Sequence, residues 1–252
     1  MNTKARTTVT HPLSSTAPAS LPAGMRIYAI GDVHGRDDLL ADRHDQIRAD
    51  LTALPVDNAV VIHLGDYIDR GPSSPAVIDR LIALDEFPAR CICLFGNHED
   101  EFLGFFEDPE HWSYWWYRYG GLDTLEAYGI DREFARVNPP TVVRDRLADA
   151  VPERHFAFLY SLSHWAQFGD YFFAHAGVKP GIPLSQQDEH DLIWIRDPFL
   201  NSQQDFGAVV VHGHTPGEGV VVRKNRIGID TLAYSSNNLT CLVLEGSDRR
   251  IL

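Results

Sequence analysis

The sequence predicts an α/β fold (α+β by some schemes), because short apolar runs alternate with helical segments in its N-terminal part. Strand-like runs lie at 26–30, 59–64 and 91–95, and helix-favouring segments at 36–54 and 74–84. A strand that leads through a glycine-bounded loop into a helix is typical of a crossover between parallel strands. Ligand sites in such sheets lie at the carboxyl ends of the strands, so we expect the loops to converge.

The rest of the chain divides into two parts of different character. Residues 105–160 contain a cluster of Trp and Tyr over 111–119 and have little regular periodicity, and we interpret them as an inserted, largely helical cap. Beyond the cap, strand-like runs alternate with turn residues and predict a mostly β half. These runs lie at 171–174, 209–212, 220–223, 227–230 and 239–245.

Length and composition predict one domain that follows a tail. A chain of 252 residues can bury a sizeable core, and we expect a single domain over 25–252. Residues 1–24 are rich in Thr, Ser, Ala and Pro and predict a disordered N-terminal tail. They lack the apolar stretch of a secretory signal, and no apolar run elsewhere has the length to span a bilayer. A cytoplasmic location is therefore the default expectation.

The charge and the cysteine content exclude some classes of partner. The formal net charge of −13 opposes tight binding of bulk nucleic acid, although a local site can still be positive. The same acidic balance, without a basic groove signature, disfavours a nuclease. Cys91, Cys93 and Cys241 are too few for a disulfide framework, so we expect buried, unpaired thiols. Neither bulk nucleic acid nor a membrane is an expected partner, and the oligomeric state stays open.

Five turn motifs follow apolar runs, and each places a potential metal ligand beside glycine. They are GDVHG (31–35), GDYIDRG (65–71), GNHE (96–99), HAG (175–177) and HGHT (212–215). Carboxylate, imidazole and amide groups suit divalent metals, and one carboxylate can bridge two ions about 3.5–4 Å apart. Glycine lets the backbone turn sharply beside the ions and leaves room for a phosphate. The motifs therefore predict a site for two metal ions.

In this order and spacing, the motifs resemble the phosphoprotein phosphatase family within the calcineurin-like metallophosphoesterases, including bacterial serine/threonine phosphatases and diadenosine tetraphosphatases. The resemblance spans about 25–244. It implies a four-layer αββα sandwich of mixed sheets flanked by helices, with a small helical cap. It also implies a dinuclear metal-dependent phosphoesterase, in which a metal-bound hydroxide attacks phosphorus directly. Manganese is the first expectation for the two divalent ions, with iron, zinc or cobalt as alternatives.

The resemblance implies a metal-binding role for six residues. Asp32 and His34 would hold the first ion, Asp66 would bridge, and Asn97, His175 and His214 would hold the second. His212 precedes the last ligand by two positions and is expected to support the ligands without binding metal.

Four further residues are implied in catalysis. His98 would protonate the leaving oxygen and Asp69 would orient it, since a carboxylate on one ring nitrogen fixes the tautomer and raises the imidazole pKa. Arg70 and Arg196 resemble the arginines that clamp phosphate oxygens, because a guanidinium matches phosphate bidentately. Arg196 rests only on its Trp-Ile-Arg context, which is a weaker signal than the glycine-bounded motifs.

The resemblance leaves more than one function open. The first expectation is a serine/threonine protein phosphatase that hydrolyses phosphomonoesters. The alternative is a symmetrical dinucleoside polyphosphate (Ap4A) hydrolase, since relatives with that activity use the same metals and acid. A catalytically silent module that binds a phosphorylated ligand is a third reading, and the presence of Asp66, Asn97 and His98 argues against it. The expected partner is a phosphoprotein or a small phosphorylated or nucleotide substrate.

Two features bear on substrate preference. Members close to this sequence commonly have glycine after Ile-Asp-Thr and a second glycine turn beyond it, whereas this chain has Leu232 and Ser-Ser-Asn-Asn at 235–238. The leucine could narrow access or alter preference without affecting a metal ligand. Trp112, Trp115 and Trp116 could stack on a base, but aromatic clusters usually pack inside a cap, and we favour packing.

Overall fold

The computed structural model describes residues 19–252, and its strands form two five-stranded sheets. In chain order the strands are β1 (Met25–Ile30), β2 (Asn58–His63), β3 (Arg90–Cys93), β4 (Trp165–Phe168), β5 (Tyr171–Ala174), β6 (Val209–His212), β7 (Val221–Val222), β8 (Arg226–Gly228), β9 (Cys241–Glu245) and β10 (Asp248–Ile251). The α-helices are α1 (Asp37–Ala53), α2 (Ser74–Ile82), α3 (Asn97–Glu107), α4 (Pro109–Trp116), α5 (Leu122–Ala127), α6 (Arg132–Val137), α7 (Pro140–Ala150), α8 (Glu153–Tyr160), α9 (Glu189–Trp194), α10 (Asp197–Leu200) and α11 (Ala233–Ser236).

Both sheets mix parallel and antiparallel pairs. The first has the order β10-β9-β1-β2-β3, with β1, β2 and β3 parallel and β9 antiparallel to both β1 and β10. The second has the order β4-β5-β6-β8-β7, with β5, β6 and β8 parallel and an antiparallel strand at each edge. The predicted fold class, with mixed sheets flanked by helices, is thereby confirmed.

Side chains that alternate along the strands build the layers. Ile27 of β1 lies in a core between the two sheets with Val211 of β6. Its neighbour Tyr28 points the other way, into a core that includes residues of α1 and α2. On the second sheet, Phe172 faces outward into a third core with residues of α9 and α10. Helices therefore cover the outer face of each sheet, and the order of layers is αββα.

The segment 97–160 is helical and carries the cap. Helices α3 to α8 follow one another here, and a π-helical turn (Tyr117–Gly121) joins α4 to α5. Phe102, Phe105 and Trp116 are fully buried, and Trp116 packs against both phenyl rings, so aromatic packing joins this segment to the core on the outer face of the first sheet. Gly120 has φ 125° inside the π-helical turn, a conformation that side chains with a Cβ rarely adopt.

Several element boundaries differ from the sequence prediction. The runs predicted at 220–223 and 227–230 form the shorter strands β7 and β8, and the sequence analysis missed the edge strands β4 and β10. Both missed strands carry polar residues and pair antiparallel at an edge, where one side is open to water. All three thiols are free, as predicted; Cys241 is buried, whereas Cys91 and Cys93 are only half-buried.

Part of the predicted N-terminal tail is attached to the domain. Residues 1–18 lie outside the described residues, but Leu21 is buried and its N–H donates to the carbonyl of Gly246. The N–H of Ser20 donates to the Asp170 carboxylate at 2.9 Å. For residues 19–24 the expectation of disorder is therefore wrong, because Leu21 buries apolar surface in the core between the sheets. Among the helices of residues 19–252, none is long and apolar enough to cross a membrane.

Candidate metal centre at the strand ends

The five sequence motifs meet at one edge of the sandwich. Three follow β1, β2 and β3 of the first sheet, and two follow β5 and β6 of the second. Seven non-glycine residues of the described chain have positive φ, and five of them belong to these motifs: His34 (46°), Asp66 (53°), Asp69 (69°), Arg70 (66°) and His214 (61°). Unfavourable backbone of this kind concentrates at functional sites, where the surrounding structure holds it in place.

One group of donor atoms forms around Asn97. Its side-chain oxygen lies 3.0 Å from Nε2 of His175 and 2.7 Å from Nδ1 of His214. Nε2 of His175 is also 3.3 Å from Oδ1 of Asp66. The Nδ1–H of His175 donates to the Leu64 carbonyl and directs Nε2 at the two side-chain oxygens. A cation is the group that satisfies such a convergence of lone pairs.

A second group shares Asp66 with the first. His34 donates through Nδ1 to the Ile68 carbonyl, which leaves its Nε2 pointing toward Oδ2 of Asp66 at 3.6 Å. Asp32 is buried, and its Oδ2 accepts from the backbone N–H of His214 at 2.9 Å. Oδ1 of Asp32 and Nε2 of His214 are buried without a hydrogen-bond partner among the described residues. Buried polar atoms without a partner are rare and costly unless an ion or water binds them.

The electrostatics of the carboxylates fit a pair of cations. Burial opposes ionisation of Asp66, but the imidazoles around it, His175 foremost, lower its pKa well below the ordinary value. The pKa of Asp32 is raised, first by burial and then by the charges of Asp230 and Asp66. A divalent cation between Asp32 and Asp66 would offset the burial of both carboxylates and the repulsion between them, and the oxygen and imidazole donors suit such an ion. The donor set therefore fits two ions that share Asp66.

Asp69 and His98 form a buried pair beside this centre. The Nδ1–H of His98 donates to Oδ2 of Asp69 at 2.7 Å, as the resemblance implied. Asp69 also accepts from the indole of Trp116 at 3.0 Å and from the hydroxyl of Thr124. Nε2 of His98 is 3.8 Å from Oδ2 of Asp66, so its second ring nitrogen lies beside the shared carboxylate. The tautomer and orientation of His98 are thus fixed by the cap.

One sequence-based expectation about His98 is wrong. We predicted that Asp69 raises the imidazole pKa toward neutrality, whereas the pKa of His98 is lowered to about 4. Burial is the largest cause, and although Asp66 raises the pKa, the positive charges of Arg70 and Arg196 lower it further. His98 is therefore neutral at pH 7 in this arrangement, and a proton at Nε2 requires extra negative charge nearby.

Arg70 occupies the middle of the site, whereas Arg196 lies at its margin. The guanidinium of Arg70 donates to Nε2 of His34 and to Nε2 of His98, both at 2.9 Å. Arg196 is exposed, and its charge lowers the pKa of both His98 and His214, so it faces the site from the segment after α9. His212 accepts from Arg226 and makes no hydrogen bond to the predicted ligands.

Sequence analysis missed four residues that build the site. Glu99 is fully buried and accepts from the backbone N–H groups of Asp66, Tyr67 and Gly96, so it clamps the loop that carries the shared carboxylate. The motif GNHE contains Glu99, but the letters alone do not show this clamp. The other three residues are Trp116, which was interpreted as packing, Thr124, and Tyr234, whose ring contacts His34 and Arg70.

Leu232 keeps the backbone that glycine would favour. It has φ 57° and ψ 50°, which is left-handed, and its N–H donates to Asp230 at 2.9 Å. The left-handed backbone of Leu232 therefore strains the loop that borders the site and costs about 1–2 kcal/mol of conformational free energy. The next helix, α11, places Tyr234 against the site.

We expect Gly213→Ala to weaken metal binding at least about tenfold, because ligand positions tolerate little displacement. A Cβ at Gly213 would lie 1.9 Å from Oδ1 of Asp32, so the carboxylate must move. Titration calorimetry with Mn²⁺ measures the effect. Gly219→Ala is the control, since a Cβ there meets nothing within 4 Å. Equal affinity in the two variants would contradict the placement of Asp32 in the site.

We expect Glu101→Gln to increase the free energy of unfolding of the metal-free protein more at pH 8 than at pH 5. The gain over the wild type should differ between the two pH values by about 2–4 kcal/mol. Glu101 is buried on α3, and burial and the charge of Asp69 raise its pKa to about 8. The folded wild type therefore keeps a proton that the unfolded chain has lost, and its stability falls as the pH rises from about 4.5 to about 8. Urea unfolding in EDTA at both pH values measures the free energy of unfolding. Glu153→Gln, at an exposed position, is the control and should differ from the wild type equally at both pH values. The same pH-independent difference for Glu101→Gln would refute the prediction.

Comparisons with known proteins agree with this geometry. The family described as calcineurin-like phosphoesterase matches residues 25–237. The symmetrical bis(5'-nucleosyl)-tetraphosphatase of Acidovorax sp. (strain JS42) is 28% identical over 156 residues, which are 62% of this chain and 45% of that protein. The PP2A-like serine/threonine-protein phosphatase PPG1 of Saccharomyces cerevisiae is 31% identical over 110 residues, which are 42% of this chain and 27% of that protein. The chain thus spans less than half the length of these two curated relatives.

A solved structure supports the fold. The cold-active protein-tyrosine phosphatase of a psychrophilic Shewanella species superposes with a TM-score of 0.58 at 18% identity, over 97% of this chain and 89% of that one. At this identity the likeness concerns the fold alone. The family match covers most of the chain and includes all five motifs. This chain therefore belongs to the calcineurin-like phosphoesterase family.

Proposed function

We propose that the chain hydrolyses phosphate esters at a dinuclear metal centre, with His98 as the acid for the leaving group. The observation that carries the proposal is the position of Asp66, which belongs to two of the three clusters of potential ligands among the described residues, the third being Asp69, His98 and Glu101. One cluster adds His34 and His98, and the other adds His175 and His214. A carboxylate with an oxygen toward each cluster is suited to bridging two ions.

We assign the ligands from the buried donor atoms that converge at the strand ends, and Nε2 of His34 would first release the hydrogen bond that it accepts from Arg70. Asp32 and His34 would hold one ion, Asn97, His175 and His214 the other, with Asp66 shared. When bound, two divalent cations supply a water activated for attack on phosphorus and offset the charge of the phosphate. Manganese is the first choice for both, because carboxylate and imidazole donors suit it, and iron, zinc and cobalt accept the same donors.

Arg70 is positioned to bind the phosphate. Its guanidinium spans His34 and His98, so an anion between these rings and Asp66 would meet both of its terminal nitrogens. Arg196 would add a second positive charge from the exposed margin of the site. A bound phosphate would then draw the donors of Arg70 away from the two imidazoles.

The same phosphate would prepare His98 as a proton donor. Its negative charge favours a proton on Nε2 and opposes the effects of burial and of Arg70, which hold the pKa at about 4. Asp69 accepts the Nδ1–H at 2.7 Å and so keeps Nε2 directed at the leaving oxygen. As the ester bond breaks, the Nε2 proton passes to that oxygen, and the imidazole returns to neutral.

Two substrate classes remain candidates. A phosphoserine or phosphothreonine protein is the first expectation from the motifs, and the partial match to the yeast PP2A-like phosphatase supports it. A dinucleoside polyphosphate is the second, supported by the match to the Acidovorax tetraphosphatase and by exposed aromatic rings beside Arg70. Both substrates need the same metal centre and the same acid, so the centre cannot distinguish them.

We expect Asp66→Asn to lose both metal ions, because the neutral amide lacks the charge that a bridging ligand contributes. Metal content after dialysis against Mn²⁺, measured by plasma mass spectrometry, should fall from two ions per chain to about none. Asp149→Asn, an exposed carboxylate on α7, is the matched control and should keep both. Two ions retained in Asp66→Asn would overturn the bridging role.

We expect His98→Asn to keep its metal and to lose about a hundredfold or more in turnover. The loss should be larger for a phosphoserine peptide than for para-nitrophenyl phosphate, since p-nitrophenolate leaves without a proton. Steady-state kinetics and metal content are the measurements, and His111→Asn, an exposed histidine on α4, is the control. An equal loss on both substrates would argue for a structural role of His98 instead.

A further inference from the structure

Two aromatic side chains of the cap are exposed and parallel. Trp115 is 50% exposed and Tyr119 is 47% exposed, although the neighbouring Trp116 is fully buried. The rings of Trp115 and Tyr119 are stacked with an interplanar angle of 8° and centroids 5.8 Å apart. Large planar rings rarely remain in water without a partner, because burying them is strongly favourable. The pair therefore presents a flat apolar surface to solvent.

This surface is joined to the phosphate-binding arginine through the backbone. The carbonyl of Tyr119 accepts from Nε of Arg70 at 3.2 Å, and the carbonyl of Gly120 accepts from the backbone N–H of Arg70 at 3.3 Å. Arg70 reaches the imidazoles of His34 and His98 with its other nitrogens. The aromatic pair thus lies at the rim of the site, within one arginine side chain of the proposed phosphate position.

The turn that carries the pair is also rigidly placed. A Cβ on Gly120 would lie 2.6 Å from the backbone nitrogen of Arg70, so the two segments are in direct backbone contact. Trp116 precedes the turn, and its indole donates to Asp69. The end of α4, with Trp115 and Trp116, and the π-helical turn, with Tyr119 and Gly120, therefore position the catalytic pair, the arginine and the exposed rings, and π-helical turns are frequent at functional sites.

We propose that Trp115 and Tyr119 form a stacking subsite for the base of a nucleoside polyphosphate substrate. The proposal rests on the proposed function, because it requires the phosphate chain to lie at Arg70. A base is planar and uncharged, so it can stack on parallel rings. A phosphoserine peptide offers a small aliphatic leaving group at this position and gains less from a flat aromatic face.

The test compares three substrates with the manganese-loaded enzyme: diadenosine tetraphosphate, a phosphoserine peptide and para-nitrophenyl phosphate. Trp115→Leu and Tyr119→Leu should each raise the KM for diadenosine tetraphosphate about tenfold with kcat nearly unchanged, the scale of one lost base stack. Both substitutions keep the backbone carbonyl that binds Arg70. The kcat/KM for para-nitrophenyl phosphate, which has no base, should stay within about twofold.

Tyr160→Leu is the matched control, since this tyrosine of α8 is 66% exposed and outside the stacked pair. A loss of kcat/KM confined to the phosphopeptide would overturn the proposal in favour of a peptide-binding surface. An equal loss of kcat/KM for all three substrates would also overturn it and would show that the pair has only a structural role. Hydrolysis of para-nitrophenyl phosphate without turnover of diadenosine tetraphosphate would overturn the subsite and leave the proposed function intact. No turnover of any substrate by the wild type would instead refute the proposed function.

Discussion

The site depends on the placement of one buried carboxylate, that of Asp66. Its backbone is left-handed, which costs about 1–2 kcal/mol for a residue with a Cβ. Glu99 offsets this cost, because it accepts from the N–H groups of Asp66 and Tyr67 at 2.9 and 2.8 Å, and each such hydrogen bond contributes about 0.5–1.5 kcal/mol. The hydrogen bonds to Glu99 therefore hold the strained loop in place and keep the Asp66 carboxylate between the two clusters.

The position of Asp66 relative to its partners is set by the core between the sheets. Asp66 follows a strand of the first sheet, whereas His175 and His214 follow strands of the second. The apolar residues that separate the sheets are close-packed, and such packing tolerates little relative movement. Core packing therefore sets the distance from the Asp66 carboxylate to the imidazoles of His175 and His214, although these residues are far apart in the sequence.

How far the sequence predicts the molecule depends on whether a feature is local. The metal-ligand candidates were identified because each lies beside glycine after an apolar run, and the structure brings Asp32, His34 and Asn97 to one edge. The clamp by Glu99 and the hydrogen bond from Trp116 to Asp69 were missed, because both join distant segments. The predicted pKa of His98 was wrong for the same reason. The sequence can indicate a hydrogen bond between His98 and Asp69, but the degree of burial depends on every layer around the two residues.

The inner and the outer residues of the cap have different roles. Its inner residues, Trp116 and Thr124, hold Asp69 and thereby the orientation of His98, so they serve any ester that reaches the metal centre. Its outer residues, Trp115 and Tyr119, touch none of these groups with their side chains and are free to change without disturbing the acid. The short segment 115–124 therefore carries both a part common to all substrates and a part that can select among them. A change of substrate on this scaffold needs new side chains on the outer face of that segment, while the strand ends stay as they are.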